Sequence, residues 1–124
     1  MSQRFSEPLF VISVAARLVE MHPQTLRKYE REGLVAPSRT AGNLRLYWDE
    51  DIERLRQVKY LVETRGLNLA GVQLALELTR SLRELRDRMG ESPGGHDWRR
   101  DIDRILIELG FVDEQRVRES ARRS

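Results

Sequence analysis

The sequence predicts a mostly α-helical chain interrupted by one short hairpin. Three observations predict it. Apolar residues recur at spacings of three and four along most of the chain, the period of a half-buried helix. Proline, glycine, serine and asparagine fall at the ends of those stretches, where helices start and stop. One Gly42-Asn43 pair separates the short flanks Arg39-Thr40-Ala41 and Leu44-Arg45-Leu46-Tyr47. That pair is a two-residue turn of the hairpin-closing kind. The second flank alternates, with Leu44 and Leu46 on one face and Arg45 and Tyr47 on the other.

The first ten or so residues show no periodicity and read as a flexible lead or a short strand. Ser13 reads as the N-cap of a first helix whose stripe is Val14, Ala15, Leu18 and Val19, ending near Met21. Pro23 suits the first turn of a second helix, where its missing N–H costs nothing. His22 is then the cap, and Gly33 the C-terminal stop. Leu18, Leu26 and Leu34 are expected in the core. Two short helices joined by a tight turn make a helix-turn-helix, and the hairpin after them makes a wing.

A third helix is predicted from about Glu50 to Thr64, with Ile52, Leu55, Val58, Leu61 and Val62 inward. Asp49, Glu50 and Asp51 lie in its first turn, where the helix dipole favours anions. Gly66 ends it, and Asn68 caps a fourth helix through Leu69, Val72, Leu74 and Leu76. From Ala75, the residues Leu78, Leu82, Leu85 and Met89 continue in steps of three and four, a heptad seam two repeats long. Gly90 to Gly95 is a linker or sharp turn. A last helix follows from about Trp98 to Leu109, with Trp98, Ile102, Ile105, Leu106 and Leu109 on one face. The dimerisation residues are expected to be Leu78, Leu82, Leu85, Met89, Trp98, Ile102, Ile105 and Leu109. Residues 1–76 form the DNA-binding domain in this reading, 77–110 a helical dimerisation or partner region, and 111–124 a mobile basic tail.

Composition bounds the chemistry. The chain has 124 residues, 40% hydrophobic and 34% charged, so its core is modest and association would help it. It has no cysteine, which excludes disulfides and thiolate metal sites and fits a cytoplasmic location. No signal peptide and no apolar run of about 18 residues is evident, so no membrane role is expected. The net charge of +2 decides little, but residues 1–47 carry seven basic and four acidic groups. Residues 66–124 carry eleven of each. The positive excess sits on the segment that holds the helix-turn-helix and wing, as nucleic-acid binding requires.

Within that segment the second helix can offer Gln24, Thr25, Lys28 and Tyr29 to base edges or phosphates. Arg27 and Arg45 are the strongest candidates for DNA contact; the alternative for each is a surface ion pair, with Glu30 or Glu32 as partner. Tyr29 suits either DNA contact or core packing. Arg39 and Asn43 fit the backbone phosphates beside the groove. Ser13 and Tyr47 complete the candidate contacts. His22 needs no ligand as a cap, and His96, near Asp97 and Asp101, lacks the convergent groups of a metal or catalytic centre. No cofactor is expected. No nucleophile–base pair, phosphate loop or metal-ligand spacing points to an enzyme.

At these residues the chain resembles the MerR family of winged helix-turn-helix transcription regulators. The resemblance rests on Ala16, Pro23-Gln24-Thr25-Leu26-Arg27, Tyr29-Glu30, Gly33-Leu34, Pro37-Ser38-Arg39 and Arg45-Leu46-Tyr47, across roughly residues 10–76. The run Met21 to Arg27, the run Pro37 to Gly42 and the run Gly66 to Gly71 look most like heat-shock repressors of the HspR type. The resemblance implies a mostly α fold, a winged helix-turn-helix with a small two-stranded wing plus C-terminal dimerisation helices. It further implies a homodimeric repressor of chaperone and protease genes, an inverted-repeat operator in double-stranded DNA, and the Hsp70 chaperone DnaK as co-repressor. Two positions depart from the family pattern. Glu20 replaces the usual turn glycine, so that position stays helical or tolerates strain. Trp48 replaces a common capping serine, so Asp49 caps instead or Trp48 packs against the wing. The family's long dimerisation helix is not obvious, because the seam is short and broken by Gly90. Two other readings compete: an effector-responsive activator of the same family, and a protein-interaction module built on residues 75–109.

Overall fold

The computed structural model describes residues 9–89 and 97–112. The linker from Gly90 to Gly95, His96 and the tail beyond Val112 lie outside the described residues. The chain forms two compact units, Met1–Val58 and Lys59–Ser124.

In the first unit, β1 (Leu9–Val11) runs straight into α1 (Ile12–Val19). The N-cap position therefore falls to Val11, whose side chain has no oxygen to offer. Ser13, expected at that position, lies inside the helix and is exposed. The helix stops two residues earlier than expected because Glu20 takes the left-handed conformation, with φ 57°. Met21 N–H donates to Ala16 O at 3.0 Å and Glu20 N–H to Arg17 O at 3.2 Å. Those two bonds are a Schellman ending, which normally uses glycine at the left-handed residue. Of the two possibilities for Glu20, strain is therefore the one realised.

The sequence correctly places α2 (Pro23–Arg31). His22 Nδ1 accepts from Gln24 N–H at 3.0 Å. The helix closes with the same ending, here on Gly33 at φ 77°. Leu34 N–H donates to Tyr29 O at 2.9 Å and Gly33 N–H to Glu30 O at 3.0 Å. Leu26 and Leu34 are buried as expected. Leu18 is not, with 41% of its surface exposed; α1 instead turns Ala15, Ala16 and Val19 inward.

The wing hairpin has its two strands as expected, and β1 joins them to make a three-stranded sheet. Its order is β1-β3-β2, with β2 at Ser38–Arg39 and β3 at Arg45–Trp48. Antiparallel pairing sets Phe10 opposite Tyr47 and Val11 opposite Leu46 on one side of β3. On the other side Ser38 faces Leu46, and Arg39 faces Arg45. The hairpin loop has three residues rather than two. Asn43 N–H donates to Thr40 O at 2.9 Å and Thr40 N–H to Leu44 O at 3.0 Å. Asn43 follows that turn at φ 67°, where asparagine costs less than other side chains. Tyr47 is wholly buried, whereas Leu44 is exposed.

The next helix, α3 (Asp49–Lys59), begins immediately after β3. Asp51, not Asp49, supplies the N-terminal bond: its Oδ2 accepts from Trp48 N–H at 2.8 Å. Trp48 itself belongs to the wing, its Nε1–H donating to Ser38 Oγ at 2.8 Å. Ile52, Leu55 and Val58 are buried as the periodicity predicts.

In the second unit Tyr60–Thr64 is π-helical rather than the α-helical end expected. Arg65 N–H reaches back five residues to Tyr60 O at 3.1 Å. Gly66 ends the turn at φ 67°. Asn68 Oδ1 caps α4 (Leu69–Arg88) by accepting from Gly71 N–H at 2.9 Å. Asp97 Oδ1 caps α5 (Trp98–Glu108), accepting from Arg100 N–H at 3.1 Å.

Ile102 and Leu106 of α5 form a core with Phe111, against which Leu82 and Met89 of α4 pack. Arg86, buried, pairs with Asp103 at 2.9 Å. Gly110 has φ 84°, and a side chain there would place its Cβ 2.4 Å from Tyr60 Cδ2, inside contact distance.

The expected seam therefore divides. Leu82, Met89 and Ile102 are spent within the chain, and Leu109 is half-buried. Leu78 and Leu85 remain 46% and 47% exposed, and Trp98 and Ile105 are also exposed. The physical reason is that two neighbouring rows of α4 are apolar. The row used by α5 and the row left open share the same three-and-four spacing, so the sequence pattern reads as one stripe.

Two stability outcomes follow. Glu20→Gly removes left-handed strain of about 1 kcal/mol, partly offset by the freer unfolded chain. The melting temperature should rise by a few degrees in calorimetry; a fall would contradict the strain. Tyr47 Oη is buried without a hydrogen-bond partner among the described residues. Leaving such a hydroxyl unmatched costs about 1–3 kcal/mol. Tyr47→Phe should thus unfold at an equal or higher urea concentration than wild type.

Candidate nucleic-acid interface

The site is built from α2, its N-terminal turn and the wing. Pro23 and the His22 cap fix the start of α2. Gln24 and Lys28 are exposed, Thr25 and Arg27 half-exposed. Leu26 and Tyr29 hold the opposite face in the core. Helical spacing explains the division, since residues three apart share a face. Tyr29 is only 8% exposed, so of its two readings the position favours packing. Tyr47, expected at the DNA surface, has no exposed area in the free chain.

The cations fall into two kinds. Among the described residues Arg27 and Lys28 have no carboxylate partner. A cation without an internal partner has its full charge available to phosphate. Arg39 and Arg45 differ. Glu30, near the end of α2, places Oε2 at 2.7 Å from Arg39 NH2 and Oε1 at 2.6 Å from Arg45 Nε. Arg39 also donates from NH1 to Asn43 O at 3.3 Å and Asn43 Oδ1 at 3.4 Å. One carboxylate thus connects α2 to both strands of the hairpin and, through Arg39, to its tip.

The sequence offers Glu30 as an ion-pair alternative for Arg27 or Arg45 and does not anticipate Arg39 as its partner. The signal available was the resemblance itself, since Tyr29-Glu30 is part of the motif. The cross-strand register that brings the two arginines together is not visible without the pairing.

Burial alone would raise the Glu30 pKa, but hydrogen bonds from Arg45 and Arg39, with their positive charges, outweigh it and hold the group below 4.5. A lowered carboxylate pKa means that the folded state binds the proton less readily than the unfolded chain. This contribution to stability is therefore full above the ordinary carboxylate range and is lost as the pH falls through Glu30's own lower value. Burial, chiefly, and then the charge of Glu30 push the Tyr47 phenol above 10.0, so it is neutral near pH 7.

Arg54 donates from Nε to Leu34 O, fastening α3 to the stretch between α2 and the wing. Among the described residues no three His, Asp or Glu side chains converge to hold a metal ion. No helix among them is long and apolar enough to cross a membrane. Chemically, the arrangement offers amide and hydroxyl groups, the cations Arg27 and Lys28 without a carboxylate partner among the described residues, and the prearranged guanidiniums of Arg39 and Arg45. That set suits a polyanion with readable edges.

Comparison with known proteins agrees with this geometry. Residues 10–79 match the model of the MerR HTH family regulatory proteins. A Streptomyces coelicolor protein bearing the name heat shock protein HspR is 54% identical over 84 residues, covering 68% of this chain and 56% of that protein. The HTH-type transcriptional regulator GlnR of Bacillus cereus is 40% identical over 73 residues, covering 59% of this chain and 56% of its own. The HTH-type transcriptional regulator MlrA of Escherichia coli is 38% identical over 69 residues, covering 55% of this chain and 28% of its own. The chain spans about half the length of the first two relatives. With the family match covering more than half of the sequence, and carrying α1, α2, the wing and α3, the chain belongs to the MerR family of helix-turn-helix, DNA-binding transcription regulators.

Proposed function

We propose that the chain is a sequence-specific repressor of heat-shock genes, those of chaperones and proteases. It binds an inverted-repeat operator as a homodimer, with DnaK as co-repressor. The observation that carries the DNA-binding part is the set of exposed and half-exposed residues Gln24, Thr25, Arg27 and Lys28 on α2, a helix tied to the wing through Glu30. Gln24 and Thr25 read base edges, and Arg27 and Lys28 neutralise phosphate. Arg39, Asn43 and Arg45 take the backbone beside the groove, and Ser13, exposed on the first turn of α1, is a further phosphate contact. The heat-shock part is supported by the identity to the HspR-named protein.

Two-fold symmetry would set two α2 helices in successive major grooves, which requires an operator with the same symmetry. In this reading the dimer uses the open row of α4, Leu78 and Leu85, and Leu74, 57% exposed, supports it as a further apolar residue. Trp98 and Ile105 of α5 are the other exposed candidates. A second reading, an effector-responsive activator of the same family, draws on the GlnR and MlrA relatives, in which the matched stretch is 56% and 28% of the protein's own length. A small effector would change operator occupancy in that case, whereas heat or DnaK would in the first.

Footprinting of the upstream region of the dnaK operon from the same genome should show a protected inverted repeat, extended or strengthened by purified DnaK. A DNA-binding curve that DnaK titration leaves unmoved would remove the co-repressor from the proposal. Arg27→Ala should weaken operator binding and reduce the salt slope by about 1, because one neutralised phosphate releases about one counterion; an unchanged slope would place Arg27 outside the interface. Leu78→Asp with Leu85→Asp should halve the mass seen in sedimentation while circular dichroism stays unchanged. A variant still dimeric would move the interface off this row.

A further inference from the structure

The strand register puts two like charges opposite each other. Arg39 and Arg45 are cross-strand partners, and like charges so placed destabilise a strand pair. Glu30 lies between them with one oxygen on each arginine, at 2.7 and 2.6 Å. The three side chains are partly exposed, at 33%, 25% and 23% for Arg39, Arg45 and Glu30. Each arginine therefore keeps part of its side chain open to solvent while its guanidinium is held from the helix. The group carries two positive charges and one negative, a net of +1. Arg27 and Lys28, in contrast, have no carboxylate partner among the described residues.

We propose that Glu30 is a positioning residue that sets sequence discrimination. It ties the wing arginines to the recognition helix, so that wing and helix meet DNA at a fixed spacing. At the same time it halves the positive charge the wing offers to any duplex. Both effects act in one direction. Non-specific binding grows with the number of phosphates neutralised, and Glu30 cancels one of the charges that would neutralise them. Binding to the correct site gains from arginines already held in place, because less side-chain freedom is lost on association. The inference rests on the reading of α2 and the wing as the DNA-contacting surface.

The test uses the full-length chain and a duplex recovered by selection from a random-sequence pool, against a scrambled duplex of equal length and composition. Affinities are measured across a series of salt concentrations for wild type, Glu30→Gln and Glu30→Asp. Glu30→Gln should bind the scrambled duplex several-fold more tightly, with a salt slope steeper by about 1 for the charge released. It should bind the selected duplex about ten-fold more weakly. Glu30→Asp keeps the charge but is one methylene too short to reach both arginines. It should leave binding to the scrambled duplex and its salt slope near wild type while losing discrimination. Adding Arg39→Ala to Glu30→Gln should abolish the gain on the scrambled duplex.

A purely structural role predicts instead that both duplexes lose affinity in parallel, with no change of slope. That pattern, or an unchanged ratio of the two affinities, overturns the proposal. If Glu30→Gln does not fold, Glu30→Asp decides alone: wild-type discrimination in it overturns the proposal equally. Failure of the wild-type chain to prefer any duplex would fall on the reading of the site and not on Glu30.

Discussion

Everything in the first unit is hung on β3, four residues with a neighbour on each side. A strand that short has few hydrogen bonds of its own, and pairing on both edges is what makes it stable. Its inward residue, Tyr47, is the largest wholly buried side chain of the described chain. β1 on one edge delivers the chain directly into α1, and Arg39 of β2 on the other edge lies beside Arg45. Trp48 ends β3 and α3 begins at the next residue, with Asp51 accepting from the Trp48 N–H. The placement of α2 against this frame is fixed twice, by Leu26 and Tyr29 in the core and by Glu30 at the rim.

The parts legible in the sequence are those with local causes. His22 as cap, Pro23 in the first turn, Gly33 and Gly66 as stops and Asn68 as cap all follow from what one residue does to its own neighbourhood. The parts not legible depend on distant partners. At Leu9–Val11 no alternation chooses between the two readings of the opening residues, flexible lead or short strand, and pairing with β3 decides for the strand. Ser13 loses the cap position for the same reason, since β1 leaves no gap before α1. Trp48 and Ser38 are ten positions apart and meet only across the wing. The double role of Glu30 needs the Arg39–Arg45 register, which a single turn residue decides: Asn43 adds one residue to the loop compared with a two-residue hairpin.

The second unit shows a different limit. Hydrophobic spacing identifies which residues of a helix are apolar rows but not which partner each row will meet. In α4 one row is occupied by α5 and another is open, and Arg86 lies buried beside the occupied one. A charged residue in that position is tolerated because Asp103 answers it at 2.9 Å. From the sequence alone Arg86 counts as one of the charges surrounding a seam. The structure makes it part of the α4–α5 packing, together with Arg83, whose guanidinium lies 4.5 Å from the Phe111 ring centre.

The direct passage from β1 to α1, and from β3 to α3, bears on how such a chain can change length over evolutionary time. Neither junction contains a spare residue. One residue inserted between Val11 and Ile12 would turn α1 by about 100° relative to the strand, carrying Ala15, Ala16 and Val19 away from the core. The same holds between Trp48 and Asp49 for Ile52, Leu55 and Val58. The exposed loop Ala41–Asn43 has no buried helix behind it to rotate. Length variation among descendants of this chain is thereby channelled to the wing tip, where extra residues alter reach along a duplex while the helices keep their registry.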